Sequence, residues 1–179
     1  MEFRETSPTN PSSVNGSSFD VCNSYCLRFQ GSRSVSITNN VFFVGRKYIT
    51  SMESSAEYTF SNNLMISALG RKDKTPGVFS SEDVTCFYTS SVSLSSSLAV
   101  VQNNLCQGSE GQGFLLPSLP CSYQGNTSRM IDNTAAVCDV GFIYYTSGVD
   151  GCGIIKKAKV HSSKVGILSN FAASLAYYN

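Results

Sequence analysis

"SVSITNNVFF" at residues 34–43 returns as "EYTFSNNLMI" at residues 57–66, so that position 63 answers to position 40. Superposed, Val35 meets Tyr58, Ile37 meets Phe60, the pair Asn39–Asn40 meets Asn62–Asn63, and Val41 meets Leu64. "LAVVQNNLCQ" at 98–107 puts Ala99, Val101, Asn103, Asn104 and Leu105 in the same slots, after a wider step from position 63 to position 104. "SRMIDNTAAV" at 128–137 supplies a weaker fourth copy with Met130, Asp132, Asn133 and Thr134, where position 133 answers to position 104. A repeat of this period decides the architecture, because one copy cannot bury its apolar side alone and must stack on its neighbours.

Apolar and polar residues alternate within each copy, which is the period of a strand and not of a helix. Each copy therefore reads as a strand turning a corner at its Asn pair. Asparagine tolerates left-handed backbone and bonds neighbouring backbone groups, so it suits such a corner. If the copies stack, equivalent asparagines form a ladder of amides, drawn from Asn39, Asn40, Asn62, Asn63, Asn103, Asn104, Asp132 and Asn133. The expected fold is all-β: a right-handed parallel β-helix.

A second apolar run follows each corner, at 45–52, 112–119, 140–147 and 165–170, and "SSFDVCNSYCLRFQGS" at 17–32 reads as the same unit one coil earlier. About five to six coils result. The whole chain, 1–179, reads as one β-helix segment. The step from position 63 to position 104 is much longer than the one from 40 to 63, and the excess places an inserted loop at 70–88, "GRKDKTPGVFSSEDVTCFY".

Charged residues make up 14% of the chain and the net charge is +1, so no basic surface argues for nucleic acid. No apolar run is long enough to span a bilayer as a helix. Seven cysteines without a zinc-type pairing of CxxC motifs point to disulfides and an oxidising compartment. The candidates are Cys106, Cys121, Cys138 and Cys152 in neighbouring coils, and Cys22 with Cys26 across a short turn. The sequons Asn15-Gly16-Ser17 and Asn126-Thr127-Ser128 make Asn15 and Asn126 candidate glycosylation sites on a secreted or surface-displayed chain. "MEFRETSPTNPSS" lacks the apolar core of a signal peptide, and "SLAYYN" ends on a strand-like run without a cap, so a longer chain is expected around this segment.

The succession "SSFDVCNSYCLRFQGSRSVSITNNVFF", "NNLMISAL", "NNLCQGSEGQGFLLPSLPC" and "DNTAAVCDVGF" resembles the parallel β-helix region of fibrocystin and fibrocystin-like proteins over nearly the whole chain. Gly108, Ser109, Glu110, Gly113 and Phe114 keep the family's positions, while Cys106 and Gln107 replace its small residues. The resemblance implies a large extracellular or cell-surface glycoprotein, often of cilia or flagella. Its β-helix would serve as a structural shaft that meets neighbouring coils of the same chain, filament or surface subunits, or glycans. Related β-helices in cell-surface hyaluronidases act on glycans, which supplies the rival expectation of a carbohydrate-binding or glycan-cleaving segment.

A glycan-cleaving β-helix needs carboxylates, or a carboxylate with a basic partner, converging on one face. Glu53, Glu57, Glu110 and Asp139 are available, and Arg46 and Arg71 follow Asn40 and Asn63 at similar intervals. A solvated shaft carries such charges in any case, so the expectation is no catalysis. His161 is the single histidine and reads as an exposed strand residue. "GSEGQG" and "GVDGCG" lack the helix and the Lys-Ser/Thr of a phosphate loop. Asp132 alone falls far short of the roughly six to eight oxygens that calcium takes. No cofactor or metal is expected. Adjacent pairs such as Tyr144–Tyr145 and Tyr177–Tyr178 must place one ring outward, and such rings read first as isolated surface tyrosines and second as a platform for a sugar or a protein neighbour.

Overall fold

The computed structural model describes residues 1–4, 9, 11–53, 56–70, 84–90, 99–117, 119–120, 129–145, 151–170 and 174–178. All secondary structure among them is strand. After β1 (Glu2–Arg4), the chain runs in triplets: β2 (Ser12–Asn15), β3 (Ser18–Cys22) and β4 (Tyr25–Gln30), then β5 (Arg33–Thr38), β6 (Val41–Gly45) and β7 (Tyr48–Glu53). The third triplet is β8 (Ala56–Ser61), β9 (Leu64–Ala68) and β10 (Thr85–Ser90). In the next two turns β11 (Ala99–Gln102) leads into the long β12 (Leu105–Pro117), and, after the short β13 (Leu119–Pro120), β14 (Arg129–Ile131) leads into β15 (Thr134–Tyr145). Each long strand serves two sides of its turn. Then come β16 (Gly151–Lys156), β17 (Lys159–His161), β18 (Val165–Asn170) and β19 (Ser174–Tyr178).

These strands stack in three parallel ladders. One runs β2, β5, β8, β11, β14, β16, β19. The second runs β3, β6, β9, then the first halves of β12 and β15, then β17. The third runs β1, β4, β7, β10, the second halves of β12 and β15, then β18. The chain is thus a parallel β-solenoid with three ladders, as the repeat requires. Among the described strands only β13 pairs antiparallel, with β16.

The sequence repeat is the physical register. Val35 pairs with Tyr58, Ile37 with Phe60 and Val41 with Leu64. Tyr58 in turn pairs with Ala99, Leu64 with Leu105, Val101 with Met130, and Leu105 with Thr134. On the third ladder Tyr48 pairs with Thr85, whereas Tyr25 pairs with Tyr48 at the regular interval. Most of the excess between the second and third copies therefore enters between β9 and β10, and the rest between β10 and β11. The insertion expected at 70–88 is accordingly too long at its end: residues 71–83 lie outside the described residues, but Thr85–Tyr88 are regular β10.

The corners repeat as well. The first residue of each Asn pair has left-handed backbone, with φ of 59° at Asn39, 56° at Asn62, 54° at Asn103 and 55° at Asp132. Lys157 continues the column at 54°. A second column of left-handed residues, Val21, Val44, Ser67, Gly108, Val137 and Ser162, turns the chain from the second ladder to the third. Three of these are β-branched valines, for which this conformation is strained.

Inside, side chains of one register column stack on the next. Leu27, Thr50, Phe87, Phe114 and Phe142 form one such column, and Val35, Tyr58 and Ile37, Phe60, Val101, Met130 fill the opposite wall. Phe114 and Phe142 stack at 4.9 Å between ring centroids, and Phe60 and Phe87 at 4.3 Å. Alternation holds within the aromatic pairs: Phe42 is fully buried whereas Phe43 is 46% exposed. A neighbouring column reads Gly113, Gly141, Gly166, and here glycine is required for space. A Cβ on Gly113 would stand 2.5 Å from the Gly141 carbonyl oxygen, and one on Gly141 would stand 2.6 Å from that of Gly166.

Thr50 interrupts the apolar column between Leu27 and Phe87. The hydroxyl of Thr50 is buried and finds no partner among the described residues. Thr50→Val keeps the shape and removes the unmet polar group, so a gain of about 1 kcal/mol in unfolding free energy is expected in urea titration.

Candidate functional site

The asparagine ladder is the most regular polar structure among the described residues. Each carboxamide oxygen accepts two bonds from the turn before it: Asn63 Oδ1 from Asn40 N (3.1 Å) and Nδ2 (3.0 Å), Asn104 Oδ1 from Asn63 N and Nδ2 (both 3.0 Å), and Asn133 Oδ1 from Asn104 N (3.2 Å) and Nδ2 (2.9 Å). Each Nδ2 also donates back to a carbonyl of the preceding turn: Asn40 to Val14, Asn63 to Ile37, Asn104 to Phe60 and Asn133 to Val101. The four are 1–2% exposed. Chains of this kind polarise one another and are strong while every member is satisfied.

The expectation that both members of each pair join the ladder is corrected here. Asn39, Asn62, Asn103 and Asp132 make the corner, where left-handed backbone turns their side chains off the inner column, and only the second residue of each pair points inward. Asn39 Nδ2 instead donates to Asn15 Oδ1 (2.9 Å), and Asp132 lies 3.8 Å from Lys157 Nζ. The inner column begins at Ser17, whose N–H donates to Asn40 Oδ1 (2.9 Å), and ends where Ala158 takes the register position after Asn133.

The candidate catalytic groups have separate partners, although Glu110 and Asp139 stand on adjacent turns at the bulge between β12 and β15. Glu110 Oε2 accepts from Gly70 N (2.7 Å), Asp139 pairs with Lys164 (2.7 Å), Glu57 lies in β8, and Arg46 is an exposed corner residue. Arg71 lies outside the described residues. His161 is exposed on β17, as its sequence context suggests. Among the described residues no group of three His, Cys, Asp or Glu side chains is placed to hold a metal ion.

What the third ladder does bring together is Arg28 with Glu53, a pairing the sequence did not announce. Arg28 grips the carboxylate with two bonds, Nε to Oε1 at 3.1 Å and Nη2 to Oε2 at 2.6 Å, while Ser51 Oγ donates to Oε1 (3.0 Å) and Glu2 lies 3.5 Å from Nη1. Beside it, Tyr25, Tyr48 and Tyr88 form a row across three turns, Tyr25 tilted against Tyr48 at 5.6 Å and Tyr48 stacked on Tyr88 at 4.6 Å, with Arg28 over Tyr25 and Lys47 near both Tyr25 and Tyr48. Tyr48 is 3% exposed and offers no open face, whereas Tyr25 and Tyr88 at either end of the row are half-buried.

Burial pushes the Glu53 carboxyl up, but hydrogen bonds from Arg28 and Ser51 and the charges of Arg28 and Lys47 outweigh it and hold the group below its ordinary value of 4.5. A carboxyl depressed in the folded state contributes stability that is complete above its unfolded value and fades as pH falls through the folded one. Glu53→Gln is therefore expected to be less stable than wild type at neutral pH, with the difference vanishing on acidification below the ordinary carboxylate range. Paired urea titrations at the two pH values check this.

Cys22 and Cys26 form a disulfide, as expected across their short turn. The expectation for Cys106 is corrected: it is bonded to Cys86 of β10, within the stretch read as an insertion. Cys138 is a buried free thiol whose Sγ lies 3.7 Å from that of Cys106. Cys121 lies outside the described residues, and Cys152 lies in β16.

Asn15 is exposed at a corner, and its two side-chain hydrogen bonds, from Thr38 Oγ1 (3.0 Å) and Asn39 Nδ2, both use Oδ1. N-glycosylation modifies Nδ2, so both bonds are compatible with a glycan there. Asn126 lies outside the described residues.

No family model, no curated protein and no solved structure matches the chain.

Proposed function

We propose that this chain is a stiff, non-catalytic shaft segment of a large extracellular or cell-surface glycoprotein, of the fibrocystin-like kind carried on cilia or flagella. The observation that carries this reading is the closed asparagine ladder. It ties successive turns through buried amides that have no exposed polar edge to offer a substrate. Two disulfides support an oxidising compartment. Glu53, Glu110 and Asp139 are each engaged by a different partner, Arg28, Gly70 N–H and Lys164, which argues against a free carboxylate pair working on one glycosidic bond. Its partners are further turns of the same chain and neighbouring subunits of a surface or filament assembly, which the parallel ladders can extend without a change of register.

Peptide mass spectrometry of the protein from its native source, with and without glycosidase and reductant, tests the setting. A glycan on Asn15 or Asn126 and bonded cysteines support the proposal, and bare sequons with reduced thiols contradict it. Incubation with polymeric uronic-acid and neutral glycans tests the role. A shaft leaves their length distribution unchanged. Shortened chains that disappear in Glu53→Gln would instead establish the glycan-cleaving alternative.

A further inference from the structure

Cys86, Cys106 and Cys138 sit on β10, β12 and β15 in three successive turns, with 0%, 0% and 4% of their surface exposed. The Cys138 sulfur, 3.7 Å from that of Cys106, is in van der Waals contact with one end of the Cys86–Cys106 bond. We propose that these three residues form a thiol–disulfide exchange site inside the solenoid, in which Cys138 takes Cys106 from Cys86.

The step balances without an outside reagent. Cys138 gives up its proton, a bond forms between Cys138 Sγ and Cys106 Sγ, the Cys106–Cys86 bond breaks, and Cys86 leaves with the electron pair and takes up a proton. One disulfide and one thiol stand on each side. Before exchange the bridge fastens the third turn to the fourth; afterwards it fastens the fourth to the fifth. The two bridges span 20 and 32 residues, and closure entropy changes only slowly with loop length, so local packing decides between them.

The surroundings set the rate. Cys138 Sγ donates to Ala136 O at 3.4 Å, and its N–H donates to Ser163 Oγ at 3.2 Å, which keep the sulfur directed toward the core. Burial pushes the thiol up, with a smaller push from the Asp139 charge, while hydrogen bonds at Ser109, Ala136 and Ser163 act the other way. Asp139 is itself paired with Lys164. The attacking thiolate is therefore scarce at neutral pH, and exchange accelerates as pH rises. Gly113 makes the room: a Cβ there would lie 3.4 Å from Cys138 Sγ.

The test holds the wild-type protein at neutral and at raised pH without added thiol, quenches with acid, labels free thiols under denaturing conditions and maps the peptides. The expected result is label on Cys138 at the start and a share on Cys86 that grows several-fold with time at raised pH. Label confined to Cys138 at every pH, or moving to Cys121 or Cys152 instead, would overturn the proposal. Cys86→Ser provides a second readout. It should oxidise to a Cys106–Cys138 bridge as completely as Cys138→Ser forms Cys86–Cys106, and two persistent thiols in the first variant would again overturn it.

Discussion

Asn104→Ala is expected to cost on the order of 3–5 kcal/mol of unfolding free energy, because it orphans buried groups on both sides of one turn. Asn63 would lose the acceptor for its N–H and its Nδ2, while the Phe60 carbonyl and Asn133 Oδ1 would each lose a donor. None of these groups reaches water, since Asn63, Asn104 and Asn133 are all about 1–2% exposed. The neighbouring Asn103→Ala is the control. Asn103 is exposed at the left-handed corner, so its replacement should cost only about 1 kcal/mol, the preference of that backbone for Asn over Ala. Urea titration of the two variants distinguishes an inner ladder from a generic need for asparagine at the bend.

The second large effect is expected at Phe87. Its ring is fully buried, stacked on Phe60 at 4.3 Å and tilted against Tyr58 at 6.3 Å. Phe87→Ala should cost about 4 kcal/mol in the same titration, since the rigid ladders on either side cannot close over the cavity. The effect has a structural address as well. β10 is joined to the strands before and after it through segments that both exceed the regular period, so its place in the third ladder depends on this side chain more than on short connections. Phe43→Ala, at a 46% exposed position one turn earlier, should change stability by less than about 0.5 kcal/mol.

Much of this architecture was legible because one physical constraint wrote itself repeatedly into the sequence. A parallel stack places equivalent residues on top of each other, so Ile37, Phe60, Val101 and Met130 must all be apolar, and each corner must be built from residues that tolerate left-handed backbone. The division of labour within each Asn pair was not read, since either member alone could serve the corner. The fourth copy held the clue: Asp132 in the first slot has no side-chain amide N–H, so a continuous amide ladder had to run through Asn133.

The third ladder was harder to read because its corners are not marked by a shared motif. Arg28 and Glu53 meet only because the regular interval that pairs Tyr25 with Tyr48 also sets Arg28 beside Ser51, and the contact is diagonal, two residues beyond that register partner. Cys86 was missed for a related reason. It follows a charged, Gly- and Pro-containing segment whose composition masks the strand alternation of "TCFYTS", and its partner Cys106 lies in the next turn. The glycine column was partly visible as the recurring "QGF", "VGF" and "VGI", but the close approach that demands it is a property of stacked backbones.

The most direct test of the account is hydrogen exchange of the asparagine side-chain amides, followed by NMR on the labelled protein. A solenoid held by the inner ladder predicts that the carboxamide protons of Asn40, Asn63 and Asn104 exchange orders of magnitude more slowly than those of Asn103, approaching the protection of core backbone amides. Equal and rapid exchange for inner and corner asparagines would contradict it, because buried amides bonded across every turn cannot be open to water.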